Sequence, residues 1–145
     1  MTIEQKEYIE ENIDLIENHD WEEFFTNSPD CMGAVLHEAG IDFMSELGYI
    51  PCVAFQESNI KTIDIPDSVT SIGDWAFAYC SSLTSIEIPN SVTNIGVAVF
   101  YNCARLDTIS YKGTVEEWEN MIGNNDTVFR NTQYTCNCTD GIVKN

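Results

Sequence analysis

The chain has 145 residues, 43% of them apolar, which is enough for one hydrophobic core and too apolar for a disordered chain. Its 24 acidic and six basic residues give a formal net charge of −18, which argues against direct binding of nucleic acid or of an anionic membrane. The sequence contains no long apolar run and its first residues are acidic, so we expect a cytoplasmic protein without a membrane span.

The negative charge is concentrated at the N-terminal end. Residues 1–46 contain 13 acids and one base, Lys6, whereas residues 47–145 contain 11 acids and five bases. This uneven distribution predicts two parts of the molecule with different roles.

Residues 3–18 are predicted to form the first helix. Ile9, Ile13 and Ile16 recur at helical spacing and therefore share one face. Acidic residues recur at similar spacing on a second face of the helix, and two further acids widen that face. We call these six residues the acid stripe: Glu4, Glu7, Glu10, Glu11, Asp14 and Glu17.

The acid stripe is the sharpest functional feature of the sequence, although an ordinary solvated helix face would also explain it. Helices usually gain stability from pairs of opposite charge, whereas this one offers only Lys6. Such a surface suits a basic protein partner, because complementary charge speeds encounter and sets register. Helical turns repeat every ~5.4 Å, on the scale of phosphate spacing along a strand, so the stripe is a candidate mimic of nucleic acid.

A second helix is predicted to begin at Ser28 and Pro29, which are favoured at helix starts, and to end at Gly40. A last short helical turn is predicted before Gly48. We interpret residues 1–48 as an acidic helical cap.

The middle of the chain contains a repeat with an offset of 23 residues. Residues 60–73 return, with conservative changes, as residues 83–96. A period of this length falls within the range of leucine-rich repeats. The same offset relates a phenylalanine and a cysteine in the two copies, which are Phe77, Cys80, Phe100 and Cys103.

Each repeated position has a predicted geometric role. Ile86 and Ile88 point inward from a strand, and Pro89 ends that strand. Gly96 is expected to permit a sharp return turn. Cys103, like its equivalent in the previous copy, is expected to be a small buried hydrophobic residue inside the coil.

The outward positions of successive strands form a second candidate surface. Stacked strands would make this surface a flat ladder of short polar groups with two acids, suited to contact with another protein. An ordinary solvated sheet face would also explain it. We call these positions the strand face: Thr62, Asp64, Ser85, Glu87, Thr108 and Ser110.

The repeat closely resembles the BspA-like leucine-rich repeat family in the segment IPDSVTSIGDWAFAYCSSLTSIEIPNSVTNIG. Residues 111–118 resemble the family's closing unit, and residues 138–141 resemble its ending. The resemblance covers about residues 49–141 and implies a right-handed solenoid used for recognition. It implies no catalytic residues and does not identify a partner.

The C-terminal end is predicted to close the repeat. Thr114 and Glu117 form a capping box for a short helix, and Trp118 is expected to cover the last coil. A loop is predicted over residues 123–126 and a final strand over residues 132–138.

Candidate chemistry is sparse in this sequence. The spacing of Cys136 and Cys138 does not match a zinc site, which leaves a structural role or a labile disulfide open. The sequence contains no nucleophile motif, and His37 diverges from the adjacent Glu38 on its helix. We therefore expect no enzyme activity, no cofactor and no metal.

These observations predict an α+β fold, a short right-handed leucine-rich-repeat solenoid of about three 23-residue coils. Residues 1–48 are the helical N-terminal cap, residues 49–112 the repeats and residues 113–145 the small C-terminal cap.

The predicted function is non-enzymatic protein binding, with the oligomeric state left open. Its most specific form is an acidic inhibitor or nucleic-acid-mimicking decoy of a basic nucleic-acid-handling protein, such as a phage-encoded inhibitor of a bacterial defence nuclease. The alternative is a cell-surface or secreted BspA-like adhesion module.

Overall fold

The computed structural model describes residues 1–123 and 125–145, and Asn124 of the predicted loop lies outside the described residues. The described residues form six helices, which are α1 (Ile3–Glu11), α2 (Ile13–Glu17), α3 (Trp21–Thr26), α4 (Met32–Glu38), α5 (Met44–Leu47) and α6 (Val115–Ile122). They also form seven strands, which are β1 (Tyr49–Ile50), β2 (Ser71–Ile72), β3 (Ser85–Ile88), β4 (Asn94–Ile95), β5 (Thr108–Tyr111), β6 (Thr135–Asn137) and β7 (Ile142–Lys144).

The single helix predicted over residues 3–18 is wrong, because Asn12 divides it into α1 and α2. Asn12 leaves helical geometry at φ −119° and ψ 25°. Its side-chain amide donates a hydrogen bond to the carbonyl oxygen of Tyr8 at 2.9 Å. An asparagine that bonds the local backbone in this way competes with helix continuation.

The predicted start of the second long helix is also wrong, because α4 begins at Met32 rather than near Ser28 and Pro29. Cys31, at φ 64°, donates its backbone N–H to the carbonyl of Val53 at 3.1 Å. This bond docks the chain onto the first coil before the helix can begin.

The predicted end of this helix at Gly40 is confirmed. Gly40 adopts φ 78° and donates its N–H to the carbonyl of His37 at 3.0 Å. Ile41 donates to the carbonyl of Leu36 at 2.9 Å, which completes a Schellman motif.

The described strands form two sheets that run along the repeat. The first sheet has the order β1-β2-β4, and the second has the order β3-β5-β6-β7. Pairing is parallel between successive coils, so that Ser85 lies opposite Thr108 and Thr108 opposite Thr135, whereas β7 returns antiparallel to β6. As predicted, β3 ends at Ile88, and Ile86 and Ile88 are buried.

Backbone hydrogen bonds also join the coils along their turns. Phe55 donates to the carbonyl of Ala76 at 2.8 Å, and Phe77 donates to the carbonyl of Val99 at 3.0 Å. Phe100 donates to the carbonyl of Val128 at 2.8 Å. The turns therefore form a regular ladder of their own, which satisfies backbone donors that would otherwise be buried without partners.

Five phenylalanine rings stack through the interior, and we call them the phenylalanine ladder. Phe77 lies in the middle, with its ring centroid 5.2 Å from that of Phe55 and 5.6 Å from that of Phe100, at interplanar angles of 10° and 9°. Each of these three side chains is fully buried. The ladder comprises Phe43, Phe55, Phe77, Phe100 and Phe129.

The predicted burial of the repeat cysteines inside the coil is confirmed. The thiol of Cys80 donates to the carbonyl of Phe55, and that of Cys103 donates to the carbonyl of Phe77, each at 3.0 Å. In the last coil the hydroxyl of Thr132 donates to the carbonyl of Phe100 at 2.7 Å. A small donor at this position thus ties each coil to the one before it.

The predicted reason for a glycine at position 96, a sharp return turn, is wrong. Gly96 is not among the residues with positive φ, so it does not use glycine's conformational freedom. A Cβ atom at this position would lie 2.6 Å from the backbone nitrogen of Asp74 and 2.9 Å from its Cα. Glycine is required because neighbouring coils approach each other closely there.

The C-terminal end covers the last coil. The capping box of Thr114 and Glu117 is confirmed at the start of α6. Trp118 is buried, with its ring 5.3 Å from that of Tyr111 and 5.9 Å from that of Phe129. The strand predicted over residues 132–138 is shorter, since β6 spans Thr135–Asn137.

Candidate protein-binding surfaces

The acid stripe lies on the outside of α1 and α2. Each of its six side chains is exposed. Within residues 1–123 and 125–145, none of these carboxylates lies in an ion pair with a lysine, an arginine or a histidine. The stripe therefore presents uncompensated negative charge to solvent: Glu4, Glu7, Glu10, Glu11, Asp14 and Glu17.

Two polar contacts fix the orientation of α1. The buried amide of Gln5 donates to the carbonyl of Asp30 at 2.9 Å. The hydroxyl of Tyr8 donates to the carbonyl of Phe24 at 2.6 Å. These contacts hold one side of α1 against the rest of the molecule, so the acids on its other side remain outward.

A shallow acidic hollow of about 710 Å³ lies beside α3, and the sequence did not predict it. His19, at φ 57°, places its Nδ1 atom 2.9 Å from a carboxylate oxygen of Glu46. The indole nitrogen of Trp21 donates to the same carboxylate at 2.7 Å, and the His19 ring stacks on the indole. Glu22 and Tyr49 also line the hollow, where burial and the Glu22 carboxylate raise the pKa of the Tyr49 hydroxyl.

The strand face has the predicted arrangement on successive coils. Ser85 pairs in register with Thr108, and Glu87 with Ser110, while Asp64 forms a bridge to Glu87. The side chains of these residues are exposed or half-buried, as is that of Thr62 in the first coil. The face is a polar ladder that extends across at least three coils.

Charge on the strand face is partly compensated, in contrast to the acid stripe. The ammonium group of Lys112 lies 3.4 Å from a carboxylate oxygen of Glu87. Lys144 is also exposed and pairs in register with Thr135 at the edge of the same sheet. The strand face therefore carries less uncompensated negative charge than α1 and α2.

Two apolar surfaces were not predicted from the sequence. One is a groove between α1–α2 and α4. Its signal in the sequence was the apolar helix face of Ile9, Ile13 and Ile16, for which the sequence indicated no packing partner. The other is a ridge on the turns, where the ring of Tyr101 lies 5.4 Å from those of both Trp75 and Tyr79. Tyr101 follows Trp75 by 26 positions and Tyr79 by 22, so only the stacking of coils brings it beside them.

Burial makes several of the cysteine thiols less acidic than a free thiol. Burial raises the pKa of the Cys31 thiol to about 11 and that of the Cys103 thiol to about 12, so both are protonated at neutral pH. Cys136 and Cys138 place their sulfur atoms 3.8 Å apart, and burial raises the pKa of both thiols. In the described part of the chain, no group of three or more His, Cys, Asp or Glu side chains is arranged to hold a metal ion.

The stacked coils and their polar faces define a class of molecule, a repeat protein of mixed helix and strand that presents surfaces for recognition. The family model described as BspA type Leucine rich repeat region matches residues 38–139 in six copies. The chain belongs to this family, as the resemblance in its sequence predicted. No curated protein and no solved structure matches the chain significantly.

Membership in this family has two consequences for function. Leucine-rich repeat regions generally mediate protein–protein interaction, and they are generally non-enzymatic.

None of the helices in residues 1–123 and 125–145 has the length and apolar character needed to cross a membrane.

Proposed function

We propose that this protein is an acidic inhibitor or decoy that occupies the basic groove of a nucleic-acid-handling protein. The observation that carries the proposal is the acid stripe, six exposed carboxylates on α1 and α2 without an ion pair among the described residues. In this proposal the fold is a short right-handed solenoid of about three coils. Residues 1–48 are its acidic cap, residues 49–112 its repeats and residues 113–145 its closing unit.

Charge complementarity supplies the physical basis of the proposal. A groove that binds nucleic acid carries clustered Lys and Arg, and its affinity for phosphates depends steeply on salt. A rigid row of carboxylates can take the place of phosphates in such a groove, and it requires no Lys or Arg on the decoy itself. The net charge of −12 in residues 1–46 supplies the long-range attraction.

The most specific form of the proposal is a cytoplasmic, phage-encoded inhibitor of a bacterial defence nuclease. The large acid excess supports this form. The target must be basic and must share the protein's compartment, so a bacterial lysate is the appropriate source of partners.

A second candidate is an adhesion module that binds through the strand face at the cell surface or after secretion. The polar ladder across successive coils favours it, because a flat row of short side chains suits contact with another protein. The two candidates use different residues, so they can be separated by mutation.

The test is capture of partners from a bacterial lysate on immobilised protein, followed by elution with a salt gradient. Three proteins are compared: the native chain, a stripe variant and a matched control that also loses four negative charges. The stripe variant carries Glu4→Gln, Glu7→Gln, Glu11→Gln and Asp14→Asn. The control carries Asp67→Asn, Glu116→Gln, Glu119→Gln and Asp126→Asn, which are all positions away from α1 and α2.

We expect the native protein and the control to retain one basic nucleic-acid-binding protein that salt releases steeply and that DNA displaces. The stripe variant should release it at clearly lower salt. Equal release from all three proteins would overturn the proposal. Retention of cell-surface or matrix proteins in a parallel column, lost on Asp64→Arg and Glu87→Arg substitution, would establish the adhesion module instead.

A further inference from the structure

An apolar groove of about 870 Å³ lies between α1–α2 and α4, and we call it the isoleucine groove. One wall is formed by Ile9, Ile13 and Ile16. The rest of the lining comes from α4, the residues that follow it and the loop of residues 57–60. These remaining apolar positions are Ala34, Val35, Leu36, Ala39, Ile41 and Ile60.

The groove is not filled by any described segment of the chain. Ile13 is 45% exposed although it lies between two other isoleucines of the same wall. Binding of an apolar ligand would remove these side chains from water, which is favourable. The volume is within the range that accepts several apolar side chains of a ligand.

The charges around the groove restrict what can bind there. Glu38 and Glu57 line it, and none of the residues that line it is a lysine or an arginine. Lys6 and Lys61 are exposed and lie outside the lining. The surroundings therefore favour an occupant that is apolar on one side and positively charged at its margins.

The dimensions of the apolar wall indicate the shape of the occupant. Ile9 in α1 and Ile13 and Ile16 in α2 present three apolar side chains over eight residues. Apolar residues at positions i, i+3 or i+4 and i+7 of a partner helix present a similar number of side chains on one face, and helices commonly bind such grooves in this way. A second copy of this chain is disfavoured as the occupant, because two molecules with a net charge of −18 repel each other.

We propose that the isoleucine groove binds an amphipathic, basic helix of a protein partner. The apolar residues of that partner helix would lie between α1–α2 and α4. Lysine or arginine residues of that helix would lie against Glu38 and Glu57. Within α1, Ile9 faces the opposite direction from Glu4 and Glu11, so this surface is distinct from the acid stripe. The inference therefore goes beyond the proposed function and can hold or fail separately.

The test uses two synthetic fluorescent peptides of 18 residues, made of leucine and lysine only. In the first, leucines recur at i, i+3, i+4 and i+7 so that a helix has one apolar face. In the second, the same composition is scrambled so that no apolar face forms. Binding is measured by fluorescence anisotropy at physiological salt, with circular dichroism as the check that each protein variant is folded.

Two matched variants of the protein separate the groove from its surroundings. Ile13→Asn places a polar group inside the groove. Ile3→Asn makes the same change at the first residue of α1, a site that is 78% exposed and outside the lining, just as Ile13 is the first residue of α2. Glu38→Lys reverses a charge at the margin of the groove, and because Glu38 is exposed, this variant also serves if Ile13→Asn does not fold.

We expect the native protein to bind the amphipathic peptide about tenfold more tightly than the scrambled one, and Ile13→Asn to remove that preference. Ile3→Asn should leave it unchanged, and Glu38→Lys should weaken binding of the amphipathic peptide several-fold. Equal binding of the two peptides, or equal loss in both isoleucine variants, would overturn the proposal. A dimer of the native protein that Ile13→Asn abolishes would also overturn it, since the groove would then bind a second copy.

The outcome is independent of the acid stripe. The stripe variant should weaken both peptides alike, because it removes general attraction, and it should leave their ratio unchanged. A peptide preference without salt-sensitive capture from the lysate would support the groove and contradict the proposed function. Salt-sensitive capture from the lysate without a peptide preference would support the proposed function and contradict the proposal for the groove.

Discussion

The first two helices, α1 and α2, and the coils bury their side chains in different ways. In the coils, equivalent residues stack on one another, as Phe77 does between Phe55 and Phe100. In α1 and α2, as far as the structure describes them, Gln5 is the one buried side chain. The coils and α3 to α5 therefore hold the buried apolar core, while α1 and α2 present charged and apolar groups to solvent. We expect stability to depend mainly on the coils, and binding on α1 and α2.

The largest expected effect is on the phenylalanine ladder. Phe77→Ala should lower the free energy of unfolding by about 3–5 kcal/mol, because it removes a fully buried ring and leaves a cavity between two others. Urea denaturation followed by circular dichroism measures the loss. Ile3→Ala, at an exposed position in α1, is the control and should change stability by less than about 0.5 kcal/mol. Similar losses in both variants would remove the contrast between the two regions.

Close contact between coils gives the next effect. Gly96→Ala should destabilise the protein by about 1–3 kcal/mol, because the new Cβ would overlap the backbone of Asp74. The same denaturation experiment tests it. Unchanged stability would mean that the coils can separate locally, and that their close approach is not what requires glycine at this position.

Alkaline pH should weaken the coils through their buried thiols. Burial raises the pKa of Cys103 from 9.0 to about 12, so the folded state disfavours the thiolate. The stabilisation is fully present below pH 9 and is lost as pH rises toward 12, at up to about 1.4 kcal/mol per pH unit for one group.

Denaturation between pH 8 and pH 11 tests this contribution. Cys103→Ala should show a shallower decline than the native protein, even though its stability at pH 8 is lower. Parallel declines in the two proteins would show that Cys103 does not contribute to the pH dependence.

The smallest effect is expected in the acid stripe. Replacing Glu4, Glu7, Glu11 and Asp14 by their amides should leave stability unchanged or raise it by a few tenths of a kcal/mol, because like charges repel. Thermal unfolding at low salt is the most sensitive measurement. A loss above about 1 kcal/mol would show that these carboxylates support the fold and are not free for binding.

The repeat was predictable because its period is regular. The alternation of Ile86 and Ile88 with polar residues, and the offset that relates Cys80 to Cys103, follow directly from stacking of equivalent positions. The fifth ring of the ladder, Phe129, was not predictable in this way. Phe129 follows Phe100 by 29 residues rather than 23, because the segment that contains α6 lies between them.

The helical region was less predictable because its boundaries depend on tertiary contacts. Ser28 and Pro29 are good helix starters, yet a hydrogen bond from Cys31 to the first coil delays α4. The exposure of the acid stripe followed from helical periodicity alone. The isoleucine groove did not, because its second wall comes from α4 and the first coil.

Hydrogen–deuterium exchange with and without the basic protein eluted from the lysate column tests the central claim most directly, because it reports where on the chain binding occurs. We predict slower exchange in peptides from residues 1–48 on binding, and unchanged exchange in peptides that contain β3 and β5. Protection of β3 and β5 with no change in residues 1–48 would contradict that claim and would assign binding to the strand face.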